Sequence, residues 1–200
     1  MDYYKLFMIM RVILAFVVLF YLPIPMSCKL LLIVFFDNVD GRFPKRLKIH
    51  NYDHTLTKQY QIHDKIADLL GYCIIMYYLY KKEIFPMDKL IVLFGLLIYR
   101  LIGDIIFFVQ KNRKVLFYFP NIFEMLALYW AILYDIQKEP GKGADTLIII
   151  AIVLFKTYHE YFLHFSDDNH ANFKPFFGDF LKGNVPVKTF MKKFKKDYIY

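Results

Sequence analysis

The sequence predicts an all-α polytopic membrane protein, a bundle of six transmembrane helices, on three observations. The first is composition: hydrophobic residues make up 58% of the 200-residue chain and aromatics 20%, with 22 Phe. A soluble domain is nearer half apolar, and a single core of this size leaves much of the chain wet. The excess therefore has no soluble home. The second is a set of six apolar stretches approaching the roughly 20 residues that cross a bilayer as a helix. The third is the sorting of basic residues among the loops between them. The same composition excludes disorder, which requires low hydrophobicity. The two Cys, Cys28 and Cys73, both sit inside apolar runs, which excludes a disulfide framework or a Cys-rich zinc site.

The first stretch runs from Phe7 to Leu22 and stops at Pro23 and Pro25. It has no small-residue cleavage site, so it reads as a retained span and not a signal peptide. The second begins near Met26 and runs through Leu30-Leu31-Leu32-Ile33-Val34-Phe35-Phe36. The third covers Ile66 to Tyr80, the fourth Leu90 to Val109, the fifth Val115 to Tyr134 and the sixth Thr146 to Phe165. No internal repeat or low-complexity tract is present. These spans define one membrane domain over residues 1–165, followed by a basic, aromatic tail over 166–200. The tail mixes Phe176, Phe177, Phe180 and Phe190 with Lys182, Lys188, Lys192 and Lys193, which suits an anionic membrane surface, with a partner-binding tail as the alternative.

Six spans put both termini on one side. Of the 26 Lys and Arg, 17 fall in the N-terminus, the segment from Arg42 to Lys65, the turn from Lys111 to Lys114 and the tail. Six fall on the opposite side (Lys29, Lys81, Lys82, Lys89, Lys138 and Lys142), and three, Arg11, Arg100 and Lys156, lie within spans. The positive-inside rule therefore predicts that both termini are cytoplasmic. The net charge of +8 is membrane electrostatics, and no nucleic-acid partner is needed to explain it.

The second span runs straight into Asp37-Asn38-Val39-Asp40-Gly41. From Met26 to Phe36 is only 11 residues, about half a bilayer. If the helix continues, Asp37 and Asp40 share one face at the membrane surface. Gly41 leaves the backbone open to a ligand. The third span opens with His63-Asp64-Lys65-Ile66-Ala67-Asp68, where Asp64 and Asp68 are spaced i, i+4 on one face. Four carboxylates with no matching thiolates point to a hard cation, Mg²⁺ or Mn²⁺. Such a cation neutralises and orients phosphates. The plain alternative is two helix ends, where acidic residues cap and favour the first turn.

This arrangement resembles the CDP-alcohol phosphatidyltransferases, whose pattern is D-x-x-D-G-x-x-A-R, a spacer, then G-x-x-x-D-x-x-x-D. Asp37, Asp40 and Gly41 match the first part, and Asp64 and Asp68 the last. The chain departs from the pattern at Pro44, Lys45 and Tyr60, which stand where the family has Ala, Arg and Gly, and its spacer is longer. The resemblance implies a six-span fold with a cytoplasmic site. It implies a divalent metal held by Asp37, Asp40, Asp64 and Asp68 on the diphosphate of a CDP-linked donor, and Asp68 as the base on an alcohol acceptor. Gly41 and Lys45 then belong to donor binding. It further implies release of CMP, lipid substrates drawn from the membrane, and a homodimer.

Arg100, in Tyr99-Arg100-Leu101-Ile102-Gly103-Asp104, reads either as a structural pair with Asp104 one turn on or as an anion-binding group. The resemblance adds that the family often carries an Arg in its fourth helix near the acceptor. Asn121 and Glu124, at i, i+3 beside Pro120, are expected to share a helix face, lining the cavity or bonding between helices. Lys156 and Glu160, at i, i+4, are expected to pair or to border the site, with snorkelling as the plain account of Lys156. His159-Glu160 followed by His164 is one residue too long for the zinc-protease motif. Two rival functions stand beside the transferase. One is a relative that binds lipid or metal without transfer, or uses another donor. The other is a small transporter with its charges along an ion path.

Overall fold

The computed structural model of the chain describes residues 3–40, 58–138 and 141–165. These are all-helical, with no strand among them. The α-helices are α1 (Tyr3–Tyr21), α2 (Met26–Asp40), α3 (Lys58–Lys81), α4 (Met87–Gln110), α5 (Phe123–Asp135) and α6 (Lys142–Phe165), with a 3-10 helix at Arg113–Tyr118. One helix thus stands in each apolar stretch.

The helix ends follow from local chemistry. α1 stops ahead of Pro23 and Pro25, whose rings cannot donate to a helical ladder. α2 starts immediately after, and its orphan N–H groups are capped from far along the chain. Met26 N donates to Asp135 Oδ1 at 3.0 Å and Ser27 N to Asp135 Oδ2 at 2.6 Å. α2 does not end at Phe36 but continues to Asp40, so Asp37 is a helical residue. α3 begins eight positions before the predicted Ile66, which puts Asp64 and Asp68 on one continuous helix. α4 follows Pro86 and ends on Lys111, whose φ of 54° is left-handed and whose N–H returns to Phe107 O at 2.7 Å.

The fifth stretch departs from the expected single helix. Its first part is the 3-10 helix, and α5 starts only at Phe123. Pro120 explains the break, because it lacks an N–H and disfavours helical backbone at the residue before it. Phe119 accordingly has a φ of −126°. Asn121 therefore precedes the helix and does not share a helical face with Glu124, contrary to the sequence expectation.

α1 packs on α3 and α2, α2 on α5, α3 on α4, and the 3-10 helix bridges α4 and α6. Their shared core is built from Leu19, Leu30, Leu79, Leu93, Phe123 and Trp130. Burial does not sort by polarity alone. Ile91, Phe94, Val109, Leu147 and Leu154 are exposed, whereas Arg11, Lys29, Asp68, Arg100, Asp104, Lys156 and Glu160 are buried. Two segments, Met87–Gln110 and Lys114–Asp135, are long and apolar enough to cross a membrane, with mean hydropathies of 2.3 and 1.5. Lys29, expected on the outer side of the membrane, is buried as well. Its Nζ donates to Leu19 O at 2.8 Å and Tyr78 OH at 3.0 Å, tying α2 to the end of α1 and to α3.

Candidate functional site

α2 delivers Asp37 from its last turns, and α3 delivers Asp64 and Asp68 one turn apart. The helical period makes Asp64 and Asp68 neighbours, and the packing of α1 between α2 and α3 gathers the rest. One carboxylate oxygen from each of Asp37, Asp64 and Asp68 lies within 4.8 Å of the other two. The two helices thus converge their acidic groups on one point.

A residue of α1 sits at that point. Arg11 Nη1 donates to Asp37 Oδ1 at 2.5 Å and to Asp64 Oδ1 at 3.3 Å. Its Nη2 donates to Asp68 Oδ1 at 2.6 Å and to the Asp64 carbonyl at 3.2 Å. Lys65 closes the other side, with Nζ 2.6 Å from Asp68 Oδ2 and 3.1 Å from Asp64 Oδ2. Asp68 is buried and Asp37 and Asp64 are part-buried, a costly placement for carboxylates without partners, and these three have two cations among them. The guanidinium fork suits this role, because its donors are fixed in one plane and serve several oxygens at once.

A small cleft of about 20 Å³, room for about one water molecule, adjoins the cluster. Arg11, Asp37 and Asp68 form one part of its lining, Tyr72 and Glu124 another, and Ala67 and Gly71 leave room along α3. Tyr72 follows Asp68 by four residues and so shares its face. Its hydroxyl donates to Glu124 Oε1 at 2.8 Å and accepts from Asn121 Nδ2 at 2.5 Å. The chain of polar contacts continues away from the carboxylates. Asn121 N donates to Glu160 Oε1 at 3.3 Å, and Arg100 Nη1 lies 3.9 Å from that same oxygen. Lys156 Nζ stands 3.9 Å from Glu124 Oε2. Lys156 and Glu160 thus each reach across to another element, where the sequence suggested either a pair along one helix or a place bordering the site.

Arg100 is 3% exposed. Its Nη1 donates to Phe119 O at 2.6 Å, and its Nε lies 3.5 Å from Asp104 Oδ1. The Phe119 carbonyl is open to this bond because the chain there has left the helix. The expected pairing with Asp104 is present, and Arg100 is not among the residues lining the cleft.

Of the residues assigned to the site from sequence, Asp37, Asp64 and Asp68 come together. Asp40 is the last residue of α2, but its side chain lies outside the described ones. Gly41 and Lys45 lie outside the described residues, as do Pro44 and the tail over 166–200. Arg11, Tyr72 and Glu124 complete the picture. Arg11 had a signal in the sequence: it is the lone charge between Leu6 and Leu22, and a lone charge in an apolar run needs a partner. The donor set at the cluster is all oxygen and anionic, which fits Mg²⁺ or Mn²⁺ and not a thiolate-seeking metal. No protein-family model, curated protein or solved structure matches the chain.

Proposed function

We propose that the chain is a membrane-embedded phosphotransferase of the CDP-alcohol phosphatidyltransferase type. It moves a phosphatidyl or phosphoalcohol group from a CDP-linked donor to an alcohol acceptor and releases CMP. In this reading six helices span the membrane, both termini are cytoplasmic, and lipid substrates enter from the bilayer. One observation carries the proposal. The carboxylates of Asp37, Asp64 and Asp68, drawn from two helices, meet within 4.8 Å beside a cleft. That is the constellation the D-x-x-D-G and D-x-x-x-D motifs imply.

Asp37, Asp64 and Asp68, with Asp40 from the same motif, are the residues that would hold Mg²⁺ or Mn²⁺. The cation's contribution, when bound, is neutralisation of the donor's diphosphate. The chain's own residues do the rest. Asp68 lines the cleft and takes the proton from the acceptor hydroxyl. The alcohol oxygen then forms a bond to phosphorus as the phosphorus–oxygen bond to CMP breaks. Tyr72 and Glu124 supply acceptor oxygens along the wall where the alcohol lies. Gly41 and Lys45, from the donor half of the motif, complete the phosphate contacts. Arg100 supports the far end of the polar chain.

A second reading has an observation in its favour: Arg11 contacts all three carboxylates. The cluster is then an ion-paired structural centre, in a relative that keeps the scaffold without the transfer. CMP release from labelled CDP-diacylglycerol, with a panel of alcohols and Mg²⁺ or Mn²⁺, separates the two. The transferase reading expects CMP from the unmodified chain and turnover about 10²- to 10⁴-fold lower in Asp68→Asn. No CMP with any CDP-linked donor, or full turnover in Asp68→Asn, removes it.

A further inference from the structure

We infer that Arg11 is an exchangeable counter-ion, a positioning residue that holds the site's carboxylates in ligating register and that a divalent cation must displace. The inference rests on the metal-dependent reading of the site and names the residue against which the metal competes.

The argument is one of occupancy. A cation shared by Asp37, Asp64 and Asp68 needs carboxylate oxygens aimed inward, within about 2.0–2.6 Å of it. The Oδ1 atoms of all three are engaged by Arg11, two of them at 2.5 and 2.6 Å. The Oδ2 atoms of Asp64 and Asp68 are engaged by Lys65. A metal and a guanidinium cannot both take the same lone pairs, so binding is an exchange and not an addition. The guanidinium also prepares the site. Without a positive charge at their centre, three carboxylates this close repel one another, and their helices would be pushed apart. Arg11 is 7% exposed and reaches α2 and α3 from α1, so it can hold both in place before the metal arrives. Its partners lie 26, 53 and 57 positions away, so the contact is made by the fold and not by local sequence.

The consequence is a sign that an ordinary supporting residue would not give. Removing a residue that merely props up a metal site weakens the metal. Removing Arg11 takes away both a competitor and a positive charge, so the metal binds more tightly. Lys at this position keeps the charge and loses the fork, which places it between the two.

The test is Mn²⁺ binding to the full-length protein in detergent, without donor or acceptor, counted by electron paramagnetic resonance of free Mn²⁺. Arg11→Gln should bind Mn²⁺ at least about tenfold more tightly than the unmodified chain, and Arg11→Lys should fall between them. Adding Asp37→Asn to Arg11→Gln should abolish the gain, which fixes it to this cluster. Mn²⁺ bound by Arg11→Gln and not by the unmodified chain is the extreme of the same result. If Arg11→Gln does not purify folded, Arg11→Lys carries the test, and it too must bind more tightly than the unmodified chain. Equal or weaker binding in the folded variant, with Mn²⁺ still bound by the unmodified chain, overturns the exchange and leaves the metal site standing. No Mn²⁺ bound by any form overturns both.

Discussion

Gly103 is the position where one methyl group separates this packing from any looser arrangement of the same helices. It lies on the buried face of α4, between Arg100 and Asp104. A Cβ added there would meet Phe119 Cγ at 2.6 Å and Cδ2 at 3.0 Å, and would come closer still to Phe119 Cβ. Those are atoms near the root of the side chain, so rotating the ring does not clear them. The backbone cannot easily retreat either. The Phe119 carbonyl is held by Arg100, and the neighbouring Tyr118 carbonyl accepts from the Tyr99 hydroxyl, so both bonds would stretch. Overpacking of this kind costs about 1–3 kcal/mol, and the constraint on Phe119 argues for the upper end. Replacing Gly by Ala returns about 1 kcal/mol of helix propensity. The net is a loss of about 2 kcal/mol, or a melting temperature about 4–8 °C lower for a chain of this size. Gly71 and Gly95 are the internal controls, since a Cβ at either has nothing within 4 Å. Gly95→Ala should therefore melt at or above the unmodified protein. Thermal unfolding in one detergent compares them, and in a Phe119→Gly background, which lacks Cβ as well as the ring, Gly103→Ala should lose most of its penalty. Gly103→Ala melting as high as Gly95→Ala would refute the close approach of α4 to the Phe119 segment.

The remaining expectations concern the cap on α2 and the orientation of the chain. Asp135→Ala should destabilise by about 1 kcal/mol, the usual worth of a helix N-cap, because Met26 N and Ser27 N both lose their acceptor. Asp135→Asn should recover part of this, and an Asp135→Ala protein that unfolds with the unmodified one would show the cap to be idle. A Cys placed at His54 should react with a membrane-impermeant maleimide only after cells are permeabilised, as the asymmetry of 17 against six basic residues requires. Labelling in intact cells would reverse the orientation.

What could be read from the sequence was whatever a single helix determines by itself. The i, i+4 spacing of Asp64 and Asp68 fixed their common face before any packing was known. Asp37 followed as soon as α2 was allowed to run past Phe36. Pro23 and Pro25 marked the end of α1. What spacing could not deliver were relations between helices. Arg11 is one charge in an apolar run, and its three partners are 26, 53 and 57 residues away. No periodicity links them. Asp135 was unremarkable at the end of a span, and its role appears only when the start of α2 is found against it. Asn121 shows the opposite failure. Its i, i+3 relation to Glu124 assumed a helix that Pro120 prevents, yet the two residues still meet, because both bond to the Tyr72 hydroxyl from different directions. Tyr72 is thus the junction between the acidic cluster on α3 and the polar chain that runs through Asn121 and Glu160 to Arg100. Its position four residues after Asp68 was legible, but its partners were not. In an apolar surrounding each ionisable group must find a counterpart, and that requirement says that Arg11, Arg100 and Lys156 have partners without saying which. The choice is made by helix packing. That is why the carboxylates of the site could be named from sequence while the guanidinium among them had to be seen.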